Sequence, residues 1–177
     1  LLPRGQDTRC EFRTAHDVTL WPVELSSVQY FSYAPDLPLS RIPQAAGAKG
    51  GLRFKLRTGG GLKFSELGLD RLRLHISAPG DIAYRLHELV LGTALGSWVV
   101  GDGNSAARLW RAASSVAPAG FSAQEALLPE TLRAFSGHRL LQEVSTLPQR
   151  LLFFDLTDLA ARLSSVDSTE AELVILF

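Results

Sequence analysis

The chain has 177 residues, of which 46% are apolar and 20% are charged. A chain of this length buries roughly 70% of its unfolded surface on folding, so we expect a single structural domain over residues 1–177. It contains 18 basic residues (Lys and Arg) and 18 acidic ones, so no overall field draws it to nucleic acid or to a membrane surface. The charge is unevenly distributed, however. Residues 1–75 hold eleven basic and seven acidic residues, whereas residues 76–177 hold seven and eleven.

The single cysteine, Cys10, excludes an intramolecular disulfide and a multi-thiolate metal cage, and it favours a reducing compartment such as the cytoplasm. The longest nearly apolar stretch, residues 89–101, is too short to cross a bilayer, so we expect no membrane insertion. The chain has no methionine and stops on the strand-like run 173–177, which indicates a piece of a longer polypeptide. We expect this last strand to pair incompletely and to leave an open apolar edge.

The first regular structure is predicted as two short strand-like pieces, at residues 18–23 and 28–33. Residues 34–51 are predicted as an exposed loop, because three prolines and three glycines interrupt them. Strict alternation then predicts two half-buried strands, at residues 52–57 and 71–76, with apolar side chains on one face and basic ones on the other. The three glycines at 59–61 resemble a phosphate-binding loop, but no helix follows them, so we interpret them as a turn.

The rest of the chain mixes helices and strands. Asp81 and Ser122 are typical first residues of helices, and Tyr84 and Trp98 lie among apolar neighbours that favour core packing. The other predicted elements are helices over residues 138–146 and 157–163 and strands over residues 97–100, 150–155 and 172–177. This pattern predicts an α+β fold with a mixed, mostly antiparallel sheet or sheets and with helices packed on one side.

No motif in the sequence assembles a catalytic, cofactor-binding or metal site. The pair His87-Glu88 begins like the HExxH zinc helix, but Leu91 stands where the second histidine is required, so both side chains are expected to face solvent. The pair His16-Asp17 has no serine elbow to activate. The turn at residues 102–104 lacks the remaining ligands of a calcium loop. We therefore expect no catalysis, no cofactor and no bound metal.

The two alternating strands carry the surface feature that indicates a function. If they are neighbours in one sheet, their shared outer face gathers Arg53, Lys55, Arg57, Arg71 and Arg73, together with His75. Opposed like charges cost about 0.2–1 kcal/mol per pair, and an acidic partner would remove that cost. Binders of single-stranded nucleic acid interleave aromatic and basic side chains, whereas Phe54 here points to the opposite face. We therefore predict a protein interface, with nucleic acid as the competing ligand.

Long motifs run through most of the chain in a fixed order. They are FRT at 12–14, VTLWPVE at 18–24, FSELGLDRLRLHI at 64–76, AYRLHELVL at 83–91, GFSAQEALLP at 120–129 and FSGHRLLQEVSTLPQRLLFFDL at 135–156. Together they resemble the TssF subunit of the bacterial type VI secretion baseplate, also known as the ImpG or VasA family. That family often has a Cys-Tyr-type pair where this sequence has Ala15-His16, so the resemblance assigns no role to His16.

The resemblance implies a scaffold that works in the cytoplasm beneath the inner membrane. In that family two TssF copies and one TssG, with further subunits, form a wedge, and wedges assemble around the spike hub. The whole subunit is several times longer than this chain, so the chain is expected to be an internal portion whose partners are TssG, a second TssF copy and other wedge components. The family supplies no catalytic residue. Two alternatives stay open: an enzyme without a recognisable motif, and a nucleic-acid-binding module that uses the basic strands.

Overall fold

A computed structural model describes residues 11, 14–32, 36, 37, 39, 42–100, 109–128 and 135–177. In this part of the chain there are eight β-strands and three α-helices. In chain order they are β1 (Val23–Phe31), β2 (Gly51–Thr58), β3 (Leu72–His75), α1 (Gly80–Gly92), β4 (Gly96–Val100), β5 (Trp110–Ala112), β6 (Val116–Pro118), α2 (Ser136–Thr146), β7 (Phe153–Leu156), α3 (Ala160–Leu163) and β8 (Glu170–Leu176).

The strands form two sheets. One has five strands in the order β1-β2-β8-β4-β5, and the other has three in the order β3-β7-β6. Neighbouring strands are antiparallel in every pairing that the described residues make. Buried side chains from both sheets, among them Phe54, Trp98, Phe154 and Leu173, belong to one core cluster. The predicted α+β class with mostly antiparallel sheets is therefore confirmed.

The last strand lies in the middle of the larger sheet. β8 is hydrogen-bonded to β2 on one side and to β4 on the other. Its residues Val174, Ile175 and Leu176 are all fully buried, so both faces of the strand are covered. A continuous apolar run is typical of a strand buried on both faces. The expectation that residues 173–177 leave an open edge is therefore wrong, because two neighbours from distant parts of the sequence pair with this strand.

β2 follows the predicted alternation, with Leu52, Phe54 and Leu56 buried in the core. The glycine loop after it also behaves as predicted. Gly60 and Gly61 have φ values of +68° and +76°, a conformation that glycine adopts without steric cost. The lysine that follows them serves the fold, because Lys63 Nζ lies 2.7 Å from an Asp167 carboxylate oxygen.

β1 is one continuous strand, not the two pieces predicted at 18–23 and 28–33. A β-bulge between Leu25 and Ser27 shifts the pairing with β2, and the Ser26 hydroxyl donates a hydrogen bond to the Lys55 carbonyl oxygen at 3.0 Å. The polar residues that interrupt the sequence pattern are thus the site of the bulge and not a break in the strand. Residues 17–20, in contrast, have no regular structure.

The segment predicted as an exposed loop at 34–51 contributes to the core. Leu37, Ile42 and Ala45 are almost completely buried, and residues Pro43–Ala45 form one 3₁₀ turn. An exposed connection does not describe these three side chains, since all three belong to the core cluster. Pro35 and Pro38 lie outside the described residues.

The helices start and end close to their predicted limits, but the residues that α1 buries differ from those expected. Ala83 and Val90 are buried and His87 is half-buried, whereas Ile82 and Tyr84 are exposed. The helix thus packs through Ala83, His87 and Val90, which are spaced four and three residues apart. This corrects the expectations of a solvent-facing His87 and a core Tyr84. The helix predicted at Ser122 is a single 3₁₀ turn, Ala123–Glu125. The turn predicted at 102–104 lies outside the described residues.

A buried arginine fixes α3 against the five-stranded sheet. The Arg162 guanidinium donates hydrogen bonds to the Ser97 carbonyl and hydroxyl oxygens at 3.1 and 2.9 Å, and to the carbonyl oxygens of Thr157 and Asp158 at 2.7 and 2.9 Å. Desolvation lowers the pKa of Arg162 to about 10, so the side chain stays charged at neutral pH. Four neutral oxygens satisfy this charge inside the core.

Candidate interaction surface

The two basic strands lie in different sheets. β2 is paired with β1 and β8, so neither of its edges is available, and β3 pairs with β7 in the smaller sheet. The premise that they share one outer face is therefore wrong. The cations do not gather in one patch because the two strands belong to different sheets, and each sheet places an acid-bearing strand from the second half of the chain next to the basic strand. The continuous basic face that nucleic acid binding requires is not formed by these two strands.

Arg53 on β2 is held by carboxylates of its own chain. Its Nη2 lies 2.6 Å from an Asp36 oxygen and its Nε lies 2.8 Å from a Glu172 oxygen, while the guanidinium carbon stands 5.9 Å from the centre of the Phe31 ring. The hydrogen bond from Arg53 lowers the pKa of Asp36. The Arg53 side chain is only 14% exposed. This residue therefore stabilises the sheet and offers little surface to a partner.

Lys55 and Arg57 remain exposed on the outer face of β2. In the strand register Lys55 stands opposite Glu172 of β8, and Arg57 stands opposite Glu24 of β1 and Glu170 of β8. Opposite charges at facing positions each contribute about 0.2–1 kcal/mol. The outer face is thus a mixed-charge surface with two exposed cationic side chains.

Arg73 on β3 forms the strongest ion pair of the predicted set. Its Nε and Nη2 each lie 2.8 Å from one of the two carboxylate oxygens of Asp155, and Nη2 also donates to Glu125. The hydrogen bond to Asp155 is the main reason why the pKa of Arg73 is raised. Arg71 is 66% exposed and reaches Asp155 only at 3.9 Å. Arg73 is therefore a structural clamp, and Arg71 presents its charge to solvent.

Ser122, predicted as the first residue of a helix, binds the Glu125 side chain and makes no cap hydrogen bond to the backbone. The Ser122 hydroxyl donates to the Glu125 carboxylate at 3.0 Å and the Gly120 N–H donates at 2.9 Å. Desolvation opposes ionisation of Glu125, but these two donors and Arg73 outweigh it and lower the pKa. Ser122, which predicted a helix start, thus helps to hold a carboxylate that binds Arg73 of β3.

The uneven charge of the two halves is satisfied within the chain. Ion pairs that join residues 1–75 to residues 76–177 include Arg53–Glu172, Lys63–Asp167, Arg71–Asp155, Arg73–Asp155 and Arg73–Glu125. The sequence identified the cations correctly but could not show that their partners lie up to 119 residues away.

Arg71 and Arg73 also line an open groove of about 970 Å³ between the start of β1 and the smaller sheet. Arg150 lines the same groove, and Asp17, Asp70 and Glu125 balance the charge of the three arginines. Trp21, Leu72 and Phe153 supply apolar wall area. Balanced charge with apolar walls suits contact with a protein segment better than contact with a polyanion.

A buried carboxylate that the sequence did not reveal organises the region around α2. Glu143 accepts hydrogen bonds from the backbone N–H groups of Leu127 and Leu128 at 3.0 and 3.1 Å, from Arg139 Nη1 at 3.1 Å, and from Arg150. Desolvation opposes ionisation, but these donors together lower the pKa of Glu143. The spacing of Arg139 and Glu143, four residues apart on one helix, is the one signal in the sequence that indicates part of this cluster.

His87 is the remaining candidate of the sequence. Its Nε2 atom is buried, and desolvation lowers its pKa. Among the described residues no group of three or more His, Cys, Asp or Glu side chains could hold a metal ion. Nor does any helix in that part of the chain have the length and apolar composition needed to cross a membrane.

The fold and its internally paired charges define an α+β module of two antiparallel sheets, and the same module occurs in a known assembly. A chain in the cryo-electron microscopy structure of the type VI secretion system TssK-TssF-TssG baseplate subcomplex aligns with a TM-score of 0.71 and 22% identity, over 93% of this chain and 29% of that chain. Residues 2–177 match the family described as Type VI secretion system, TssF, and the chain belongs to that family.

A curated relative agrees with this assignment. The type VI secretion system component TssF1 of Pseudomonas aeruginosa is 43% identical over 181 residues, which cover 98% of this chain. The same alignment covers 29% of the relative. The chain therefore spans less than a third of the length of the proteins it matches.

Proposed function

We propose that this chain is part of a structural subunit of a type VI secretion baseplate and that it acts through protein contacts, without catalysis. The family match over residues 2–177 carries the proposal, and the fold it shares with a chain of a TssK-TssF-TssG subcomplex supports it. The expected partners are a TssG-type subunit, a second copy of the TssF-type subunit and further wedge components. The assembled complex would lie on the cytoplasmic side of the inner membrane.

The internal structure suits a structural component that must keep one conformation. One core cluster unites both sheets, which supports treating the chain as a single domain. Ion pairs such as Arg73–Asp155 join segments that are far apart in sequence, and the buried Glu143 cluster joins α2 to the chain on either side of it. Such pairs favour one arrangement of the chain over alternatives, because each buried charge is satisfied only in that arrangement.

The contact surface that we propose is the exposed part of the predicted basic set. Lys55 and Arg57 on β2 keep exposed side chains, whereas Arg53 and Arg73 are paired within the chain. Arg71 is also exposed, but it precedes β3 in the smaller sheet and is not part of this surface. An acidic surface of a neighbouring subunit would complement Lys55 and Arg57. Charges at such a rim mainly set specificity and the rate of association.

The test uses the full-length subunit that contains this chain. Lys55→Glu/Arg57→Glu is compared with Arg85→Glu, which reverses one exposed charge on α1 outside the sheet. Affinity for the TssG-type partner and for a second TssF-type copy is measured by titration, with circular dichroism as the control for folding. We expect the double variant to weaken one of these associations about tenfold and Arg85→Glu to leave both unchanged.

Two results would contradict these proposals separately. Unchanged affinity of the double variant for both partners would show that the outer face of β2 is an ordinary solvated surface. Failure of the unmodified full-length subunit to form a complex with TssG- and TssK-type subunits on gel filtration would contradict the baseplate function itself.

A further inference from the structure

The edges of the two sheets are protected unequally. β5 and β6 are three residues long, and β6 ends in Pro118. β3 is four residues long and carries Arg73. β1 is nine residues long, contains no proline or lysine, and has Glu24 as its one charged residue. Natural proteins blunt exposed edges with short strands, charges, proline or bulges, and β1 has only one charge and one bulge, so it is the least protected edge among the described residues.

The core-side face of β1 is apolar, and among the described residues it is only partly covered. Leu25, Val28 and Tyr30 stand opposite Leu56, Phe54 and Leu52 of β2 in the strand register. The three β2 side chains are 2%, 5% and 7% exposed, whereas those of β1 are 45%, 49% and 59% exposed. The apolar layer of the sheet therefore continues beyond the elements that cover it.

The bulge in β1 assembles this face. Leu25 and Val28 are three residues apart and would lie on opposite faces of a regular strand. The extra residue at Ser26 brings both side chains to the core side, where they align with Leu56 and Phe54. Bulges commonly re-aim a side chain in this way. Without it, Leu25 would point to the charged outer face.

From this geometry we propose that a segment of the same subunit, outside residues 1–177, packs on Leu25, Val28 and Tyr30 in the full-length protein. The alignments cover 29% of the relatives' length, so most of the family's polypeptide lies outside this chain. A segment of the same polypeptide loses no translational freedom on docking, unlike a separate subunit. The inference depends on the length of the family's proteins and not on the baseplate function.

The experiment compares thiol reactivity on the two faces of β1 in the full-length subunit without partners. After replacement of native cysteines by serine, Val28→Cys and Gln29→Cys are labelled with a thiol reagent under native conditions. Gln29 is the matched control, because it is the next residue of the strand and is exposed on the outer face. We expect Val28→Cys to react at least about tenfold more slowly, since a covered thiol reacts only when the contact opens. In urea the two rates should be equal.

A second variant does not depend on labelling. Val28→Asp should lower the melting temperature of the full-length subunit by about 4 °C or more, and Gln29→Asp should not. Equal labelling rates at Val28→Cys and Gln29→Cys in the isolated subunit would overturn the proposal. If protection of Val28→Cys arose only after addition of a partner subunit, the occupant would be that partner, which would also overturn it.

Discussion

Removal of the Arg73 side chain should destabilise this chain far more than removal of other cations in the predicted set. Asp155 is only 6% exposed and takes both of its short ion-pair contacts from Arg73. Loss of one partner of a buried pair costs about 3–5 kcal/mol. Because Arg73 is 35% exposed and Arg71 stands 3.9 Å away, water and that second arginine should recover part of the loss. We expect Arg73→Ala to lower the free energy of unfolding by about 2–3 kcal/mol.

The assay is urea denaturation of the 177-residue chain followed by circular dichroism, with Lys55→Ala as the matched control. Lys55 is exposed on β2, so its removal should change the free energy of unfolding by less than about 0.5 kcal/mol. The double variant Arg73→Ala/Asp155→Asn should lose less than the sum of its single variants, because no unpaired carboxylate remains. If Arg73→Ala were as mild as Lys55→Ala, the clamp between β3 and β7 would contribute nothing and the reasoning would fail.

Two further predictions concern buried sites. Because the pKa of Glu143 is lowered, its contribution to stability is present above about pH 4.5 and is lost as the pH falls through the folded-state pKa. Glu143→Gln should therefore be less stable than the unmodified chain at pH 7. Between pH 5 and pH 3 its free energy of unfolding should fall less than that of the unmodified chain, as measured by urea titrations at each pH. A Cβ atom on Gly96 would overlap the Arg111 carbonyl oxygen, so Gly96→Ala should lower the free energy of unfolding by about 1–3 kcal/mol. Gly47→Ala should change it little, because a Cβ atom there would have no other atom within 4 Å. Similar melting temperatures for the two alanine variants would argue against the close approach of β4 and β5.

The local pattern of the sequence predicted several elements well. The alternation of β2 and the turn at Gly60 depend on residues next to one another, and both were read correctly. Which strand pairs with which was not predictable, because pairing depends on residues far apart in sequence. The run at 173–177 was expected to be an exposed edge, yet strands from residues 51–58 and 96–100 enclose it.

The candidate surface illustrates the same limit for charges. The sequence identified Arg53 and Arg73 on the outer side of their strands, and a solvated or partner-binding role followed from that position. Their carboxylate partners, Glu172 and Asp155, are 119 and 82 residues further along the chain. The packing of α1 was mispredicted in the same way, since Ala83 and Val90 are buried while Ile82 and Tyr84 are exposed.

The Arg162 clamp and the Glu143 cluster have unlike responses to acid. Every acceptor of Arg162 is a carbonyl or hydroxyl oxygen, and the guanidinium keeps its proton throughout the acid range, so acid leaves that junction chemically unchanged. Glu143, in contrast, gains a proton there, and the buried Arg139 and Arg150 then lose the negative charge of this carboxylate. Gradual acidification should therefore release α2 and the adjoining residues 127–128 first, while α3 stays docked on β4. The order in which the two junctions open in acid is thus determined by whether the oxygens that bind their arginines can be protonated.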